Sequence, residues 1–450
     1  MARREEPYTL RFATAFGPRH PISSLRRHRR KLLQMSGLTL DVTARRLQVD
    51  PRNPAFYQNP YPLYARLHAE APVVYWEQFG HWCFAGFADV NRLLRDRRFG
   101  REILHVATRE ELGLPEPSEH TRDFDAVDAH SMLEREPPAH TRLRSLVNRA
   151  FVSRQVERLR PAIAEMAHEL IEAFPSDSPF DLLAAFAEPI PVRVIARMLG
   201  VPERIAPELL DWSHRMVAMY SYGRNRAIEE DANAAAASFS GFIRGYVAER
   251  RASPGDDLLS LLIEAEEDGA RLSEDELIST AILLLNAGHE ATVHAVGNGV
   301  KAILECREDP HCIDPVDRFR GNAVVENATE EILRFDPPLH MFTRFVLAET
   351  EESGIHLRKG EKIGLLLGAT GRDPMVNSDP DRFDVCRENP RHTSFGAGIH
   401  FCVGAPLARL ELQTALPILF QRCPDLRLAG KPSYRNAYHF HGLERLMVEC

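Results

Sequence analysis

The stretch Phe395-Gly396-Ala397-Gly398-Ile399-His400-Phe401-Cys402-Val403-Gly404-Ala405-Pro406 constrains the fold more than any other part of the 450-residue chain. A single cysteine stands there among glycines, directly ahead of a segment, Leu407 to Leu416, whose pattern is helical. Glycines at 396, 398 and 404 lack a Cβ, so the backbone can bend sharply and a flat, bulky group can come close. Pro406 suits the first helical turn, where its missing N–H would go unpaired in any case. A cysteine ahead of a helix N-terminus faces unpaired N–H groups and the positive end of the helix dipole, which favours its thiolate. The plainer alternative is a buried structural thiol in a Gly-rich loop. A zinc site would need other Cys or His at close spacing, and none of the remaining cysteines offers a CxxC.

A second stretch, Ala287-Gly288-His289-Glu290-Ala291-Thr292, falls inside a long helical segment. Ser273 and Glu276 form a capping box, and no proline follows until Pro310. A helix from there to about Cys306 would run ~50 Å at 1.5 Å per residue, enough to cross a whole domain. Thr280 to Leu285 is apolar on nearly all sides, which marks a buried central helix. Gly288 within it costs about 1 kcal/mol against alanine, so something must approach it closely.

The cysteine stretch resembles the haem-binding loop of the cytochrome P450 family: Phe, two residues, Gly, one residue, a basic residue, one residue, Cys, one residue, Gly. Phe395, Gly398, His400, Cys402 and Gly404 fill every position. The resemblance implies a mainly helical fold with a small β region. It implies haem b held between the long central helix and the cysteine loop, with Cys402 on the iron. A thiolate ligand pushes electron density onto iron and favours O–O cleavage, so a monooxygenase is implied that inserts one atom of dioxygen into a C–H bond.

The family's oxygen-activation motif runs Ala or Gly, Gly, any residue, Asp or Glu, Thr. Ala287, Gly288 and Glu290 match it, but Ala291 stands where the alcohol belongs. By this resemblance dioxygen or the haem plane would be what approaches Gly288. Thr292 follows at once, yet adjacent helical residues point ~100° apart, so its hydroxyl falls elsewhere unless the helix opens. A substrate group, an ordered water or a shifted Thr292 is expected to relay protons instead. His289 reads as structural, paired with a nearby acid.

Further positions carry family roles by the same resemblance. His140 and Arg144, four apart and hence on one helical face, would hold the haem propionates together with Arg344. Two carboxylates taken into an interior need paired donors. Glu331 and Arg334, completed by Arg382 of Pro380-Asp381-Arg382-Phe383, would form a buried charge network beneath the haem. Ala287, His340, Met341 and Phe342 are candidates for the substrate side, and Trp212 to Tyr222 for the roof above it. Read on spacing alone, the ion pairs are solvated faces and the apolar residues are ordinary packing.

Composition sets the bounds. With 44% hydrophobic and 27% charged residues, the chain is that of a globular protein, and no apolar run reaches the ~18 residues of a membrane span. Seven scattered cysteines and no secretory signal lead to the expectation of a reducing cytoplasm. The missing N-terminal anchor points, by resemblance, to the soluble bacterial branch. Residues 1–47 hold eleven Lys or Arg against three acids, so a basic arm is expected there, solvated or docking to an acidic surface, ahead of one domain over 48–450.

No flavin, nicotinamide or iron–sulfur signature is present, so electrons are expected from a ferredoxin and its NAD(P)H-dependent reductase. Arg142, Arg391 and Arg409 are candidate contacts for that donor. A monomer acting on a small, largely apolar organic substrate is expected, with no nucleic-acid partner. Direct use of hydrogen peroxide, or a non-catalytic haem sensor, are the alternatives.

Overall fold

The computed structural model of the protein describes residues 37–151, 153–267, 269–309 and 322–450. Its scaffold is a set of helices around one central rod. The rod, labelled α5 below, spans Glu274–Glu308, and its start is the capping box read from sequence: Ser273 accepts from the Glu276 N–H, and the Glu276 side chain accepts from the Ser273 N–H. More than half of its residues are buried, from Leu277 to Cys306, as expected of an element apolar on nearly every side. Around it pack α1 (Ala139–Ala150), α2 (Pro189–Leu199), α3 (Ala206–Val217), α4 (Arg226–Ala252), α6 (Asn322–Phe335) and α7 (Ala405–Arg422). Gly288 finds its reason in this packing. A Cβ there would come 2.8 Å from Ile195 Cδ1, so the glycine lets α2 close onto α5.

The small β region is a seven-stranded mixed sheet. Its strands are β1 (Thr39–Asp41), β2 (Arg46–Gln48), β3 (Val73–Trp76), β4 (His81–Phe84), β5 (Phe99–Gly100), β6 (Phe342–Val346) and β7 (Lys362–Leu365), in the spatial order β1-β2-β3-β4-β7-β6-β5. β3 and β4 form the hairpin expected about Gly80, which adopts φ 69°. The sheet corrects the boundary drawn from charge. Leu40 pairs with Leu47, and β2 runs parallel to β3, so residues 39–47 belong to the folded body rather than to a basic arm. The physical reason is Leu47, fully buried directly behind Arg45 and Arg46, whose charge dominated the count. The remainder of the expected arm, residues 1–36, lies outside the described residues.

Residues 99–135 are a loop with short helical pieces, as their lack of period suggested. Cys83, Cys386, Cys402, Cys423 and Cys450 are free, whereas Cys306 is disulfide-bonded, a pairing that the scattered spacing did not suggest. Among the described residues no helix is long and apolar enough to cross a membrane.

Candidate haem site

Cys402 sits where the loop hands over to α7. Gly396 and Gly398 take φ of 68° and 72°, conformations that L side chains resist. At Gly398 a Cβ would lie 2.4 Å from the Leu94 carbonyl, so only glycine lets the loop pass that chain. The Cys402 N–H donates to the Phe395 carbonyl at 2.9 Å, closing the loop. The sulfur faces a cavity while protein surrounds it, and the backbone N–H groups of Gly404 and Ala405 point at it. Burial nonetheless outweighs those N–H groups and Arg144, and holds the thiol above its ordinary value. The helix terminus alone therefore does not make the thiolate expected from sequence. A cation bound at the sulfur would favour it.

The cavity opens between Cys402, Phe395 and Val403 on one side and the α5 face of Ala287, Gly288 and Ala291 on the other. Its edge is basic. Arg344 is 3% exposed, and among the described residues its guanidinium makes one hydrogen bond, from Nη1 to its neighbour's carbonyl, Thr343 O. Burial, reinforced by Arg101, drives its guanidinium down to about 9. His140, buried and with its pKa lowered to about 4 by desolvation, leaves Nδ1 without a partner, and its ring centroid lies 4.4 Å from that of His400. Arg144 donates to the Phe401 carbonyl, and His400 pairs with Glu136 at 3.1 Å. Four donors thus converge with fewer anions than they need, and two carboxylates would complete them. A flat ring bearing two acids, ligated by sulfur, fits this cradle.

Fold and site together define a haem protein that ligates iron through a cysteine. Comparison with known proteins agrees. The cytochrome P450 family model matches residues 323–426. The polyketide biosynthesis cytochrome P450 PksS of Bacillus subtilis is 34% identical over 413 residues, covering 90% of this chain and 98% of that protein. The vitamin D(3) 25-hydroxylase of Pseudonocardia autotrophica is 37% identical over 402 residues, covering 87% of this chain and 94% of that one. Among solved structures, P450BioI in complex with an acyl carrier protein ligated to hexadec-9Z-enoic acid superposes with a TM-score of 0.80 at 33% identity, over 88% of this chain and 99% of that one. The chain belongs to the cytochrome P450 family. Its cofactor is haem b and its reaction class is monooxygenation.

Several expected residues fall elsewhere. Arg382 contributes only its carbonyl to the charge network, and its side chain is half exposed. The second guanidinium is that of Arg387, whose Nε lies 3.2 and 3.3 Å from the Glu331 oxygens. Arg387 reaches in because Glu331 also accepts from the Asp384 N–H, which fixes the turn ahead of it. His340 turns away from the cavity and shares a hydrogen bond with the Tyr64 hydroxyl at 2.9 Å, while Met341 packs near Gly364 on the sheet. Phe342 does line the cavity, as does Leu339, which sequence reasoning missed. On the roof, Met216 and Tyr220, four apart, line it, but Trp212 packs in tilted contact with Phe239 and Phe242.

The acid position differs too. Glu290 points away from the cavity. Its Oε1 takes His294 and Arg435, each at 3.2 Å, and burial, which would raise its pKa, is outweighed by His214, His294 and Arg435, so it stays ionised. Thr292 donates to the Gly288 carbonyl at 3.1 Å on an unbroken helix. Beside it lies Glu411 of α7, 1% exposed and raised by burial to about 8. Nothing in the loop pattern marked Glu411, nine residues beyond the cysteine.

Proposed function

We propose that the protein hydroxylates a small, largely apolar organic substrate, with electrons supplied by a separate ferredoxin and its NAD(P)H-dependent reductase. The observation that carries this reading is the cavity itself. Above the Cys402 side it is walled by Phe124, Val127, Ile195, Met216, Ile282 and Phe342, a surface that excludes water and holds apolar substrate against the α5 face. Bound there, thiolate-ligated haem supplies the oxygen chemistry, and the chain supplies position, dryness and protons. Cys402 would ligate the iron, while His140, Arg144, Arg344 and His400 would take the propionates.

Proton delivery in this reading does not use an alcohol at 291. Thr292 releases the Gly288 carbonyl to reach the cavity, or an ordered water serves, with the protonated Glu411 behind it as a store. Glu290 stays ionised in its own cluster. Arg142 and Arg409 are already neutralised, by Glu276 and Glu330, so Arg391 is the freer of the basic contacts proposed for the ferredoxin.

The test is turnover under isotopically labelled dioxygen with ferredoxin, reductase and NAD(P)H. One labelled atom in the product and the other in water supports the reading. A reduced carbon monoxide spectrum of the histidine-ligated type overturns it. Ala291 favours one second reading, direct peroxide use. Faster product formation with hydrogen peroxide than with the ferredoxin chain, unchanged by Ala291→Thr, would select it.

A further inference from the structure

We infer that His214, His289 and Glu290 form a binding site for a divalent transition-metal ion of the zinc type, bridging the roof helix α3 to the central helix α5. One donor atom from each of the three side chains lies within 4.8 Å of the other two. His214 Nε2 is 3.1 Å from Glu290 Oε2, and His289 Nδ1 is 3.8 Å from the same oxygen. Ligands about 2.0–2.1 Å from a tetrahedral zinc ion lie roughly 3.3 Å from one another, a spacing these two distances bracket.

Proximity here comes without hydrogen bonding. Glu290 Oε2 is buried and accepts no aligned hydrogen bond, although His214 Nε2 is so near. His289 is 1% exposed, and among the described residues neither of its ring nitrogens has a hydrogen-bond partner. A buried imidazole with two idle nitrogens is costly unless something occupies one of them. Its ring centroid is 5.1 Å from that of His214, so the two imidazoles converge beside the one carboxylate oxygen.

The opposite side of the carboxylate is spoken for. Arg435 and His294 hold Oε1 and orient Oε2 towards the two histidines, as outer partners of metal ligands do. Their cost is the Arg435 charge, which makes micromolar rather than nanomolar affinity the expectation. His214 is partly exposed, which gives an ion access from solvent and leaves a fourth position for water.

A second buried trio shows the contrast. Asp336, His340 and His441 also gather donor atoms, but both Asp336 oxygens already accept tyrosine hydroxyls, from Tyr61 and Tyr434, and all three side chains are sealed in the core. Its carboxylate has no oxygen left open to an ion.

Zinc added to chelator-treated, haem-loaded protein tests the site. Calorimetry should give one more equivalent bound by the wild type than by His214→Ala. Zinc should raise the thermal midpoint of the wild type and leave that of His214→Ala unchanged. His289→Gln, which keeps an amide in the buried position, should weaken binding at least tenfold. X-ray absorption at the zinc edge should show nitrogen and oxygen ligands. Equal stoichiometry in wild type and His214→Ala, or sulfur among the ligands, which would place the zinc on the exposed thiols Cys386 or Cys450, overturns the inference.

Discussion

Two buried arginines in this molecule have opposite surroundings. Arg334 has no exposed surface and is saturated. Its Nε and Nη2 grip both Glu331 oxygens at 2.6 and 2.8 Å, and the remaining N–H groups reach the carbonyls of Gly371, Pro380 and Arg382. Arg344 is nearly as buried, yet among the described residues no carboxylate lies within ion-pair distance of it. A saturated buried charge holds the chain in place, because every desolvated N–H has found an acceptor. An unsaturated one is a receptor, its desolvation cost offset only when an anion arrives. The two clusters therefore divide the work of the fold: the Glu331 network fixes the segment 371–387, and in the proposed reading the His140–Arg344 edge would take the haem propionates.

The largest effect should come from breaking the saturated cluster. Glu331→Ala strands Arg334 and Arg387 in the core, a loss of about 3–5 kcal/mol, read as a fall in the denaturant midpoint and a low yield of haem-loaded protein. Normal stability and haem content in that variant would erase the distinction.

Glu411 sharpens the comparison from the acid side, being buried with no cation partner among the described residues. Its folded value, about 8, lies above the ordinary 4.5, so the folded protein keeps a proton that the unfolded chain releases. Its contribution is complete below about pH 4.5 and is lost as pH rises through about 8, a decline of about 3–5 kcal/mol across that window. Glu411→Gln should flatten the fall in thermal midpoint between those pH values, and an unchanged slope would show that the carboxyl is solvated or paired.

Arg344 should behave oppositely to Arg334. In apoprotein, Arg344→Met removes an uncompensated charge and should leave stability unchanged or raised by about 1–2 kcal/mol. In haem-loaded protein the same change should speed haem transfer to an acceptor apoprotein. A destabilised apoprotein with unaltered haem release would mean that the edge is scaffold after all.

What sequence made legible follows the same division. Loop, capping box and central helix were readable because each rests on local rules: glycine where φ is positive, Ser and Glu three apart, apolar residues all round. Residues whose role depends on distant partners were not. Leu47 is a core residue among arginines, and only pairing of β2 with β3 reveals it. His340 and Phe342 are two apart and would share a face on a regular strand, but β6 begins only at Phe342, so His340 lies outside the pleat and turns instead to Tyr64. Glu290 was placed correctly on its helix, but the cluster that turns it from the cavity draws on residues 214, 294 and 435, far apart in the chain.

Arg382 gives the smallest expected effect and the finest test of this division. The family resemblance implied that it is the third member of the charge network, yet its guanidinium lies 3.9 Å from Asp384 and is half exposed, whereas its carbonyl accepts from both Arg334 and Arg387. Backbone carbonyls survive any substitution except one that alters the chain's course. Arg382→Ala should therefore shift stability by no more than about 0.5 kcal/mol, the range of surface changes, and leave haem content untouched. Arg387→Ala, which removes a guanidinium bound to Glu331, should cost several times more. If the two variants proved equal, or if Arg382→Ala were the worse, the network would be built as the family resemblance implied, with the 382 side chain turned inward to Glu331.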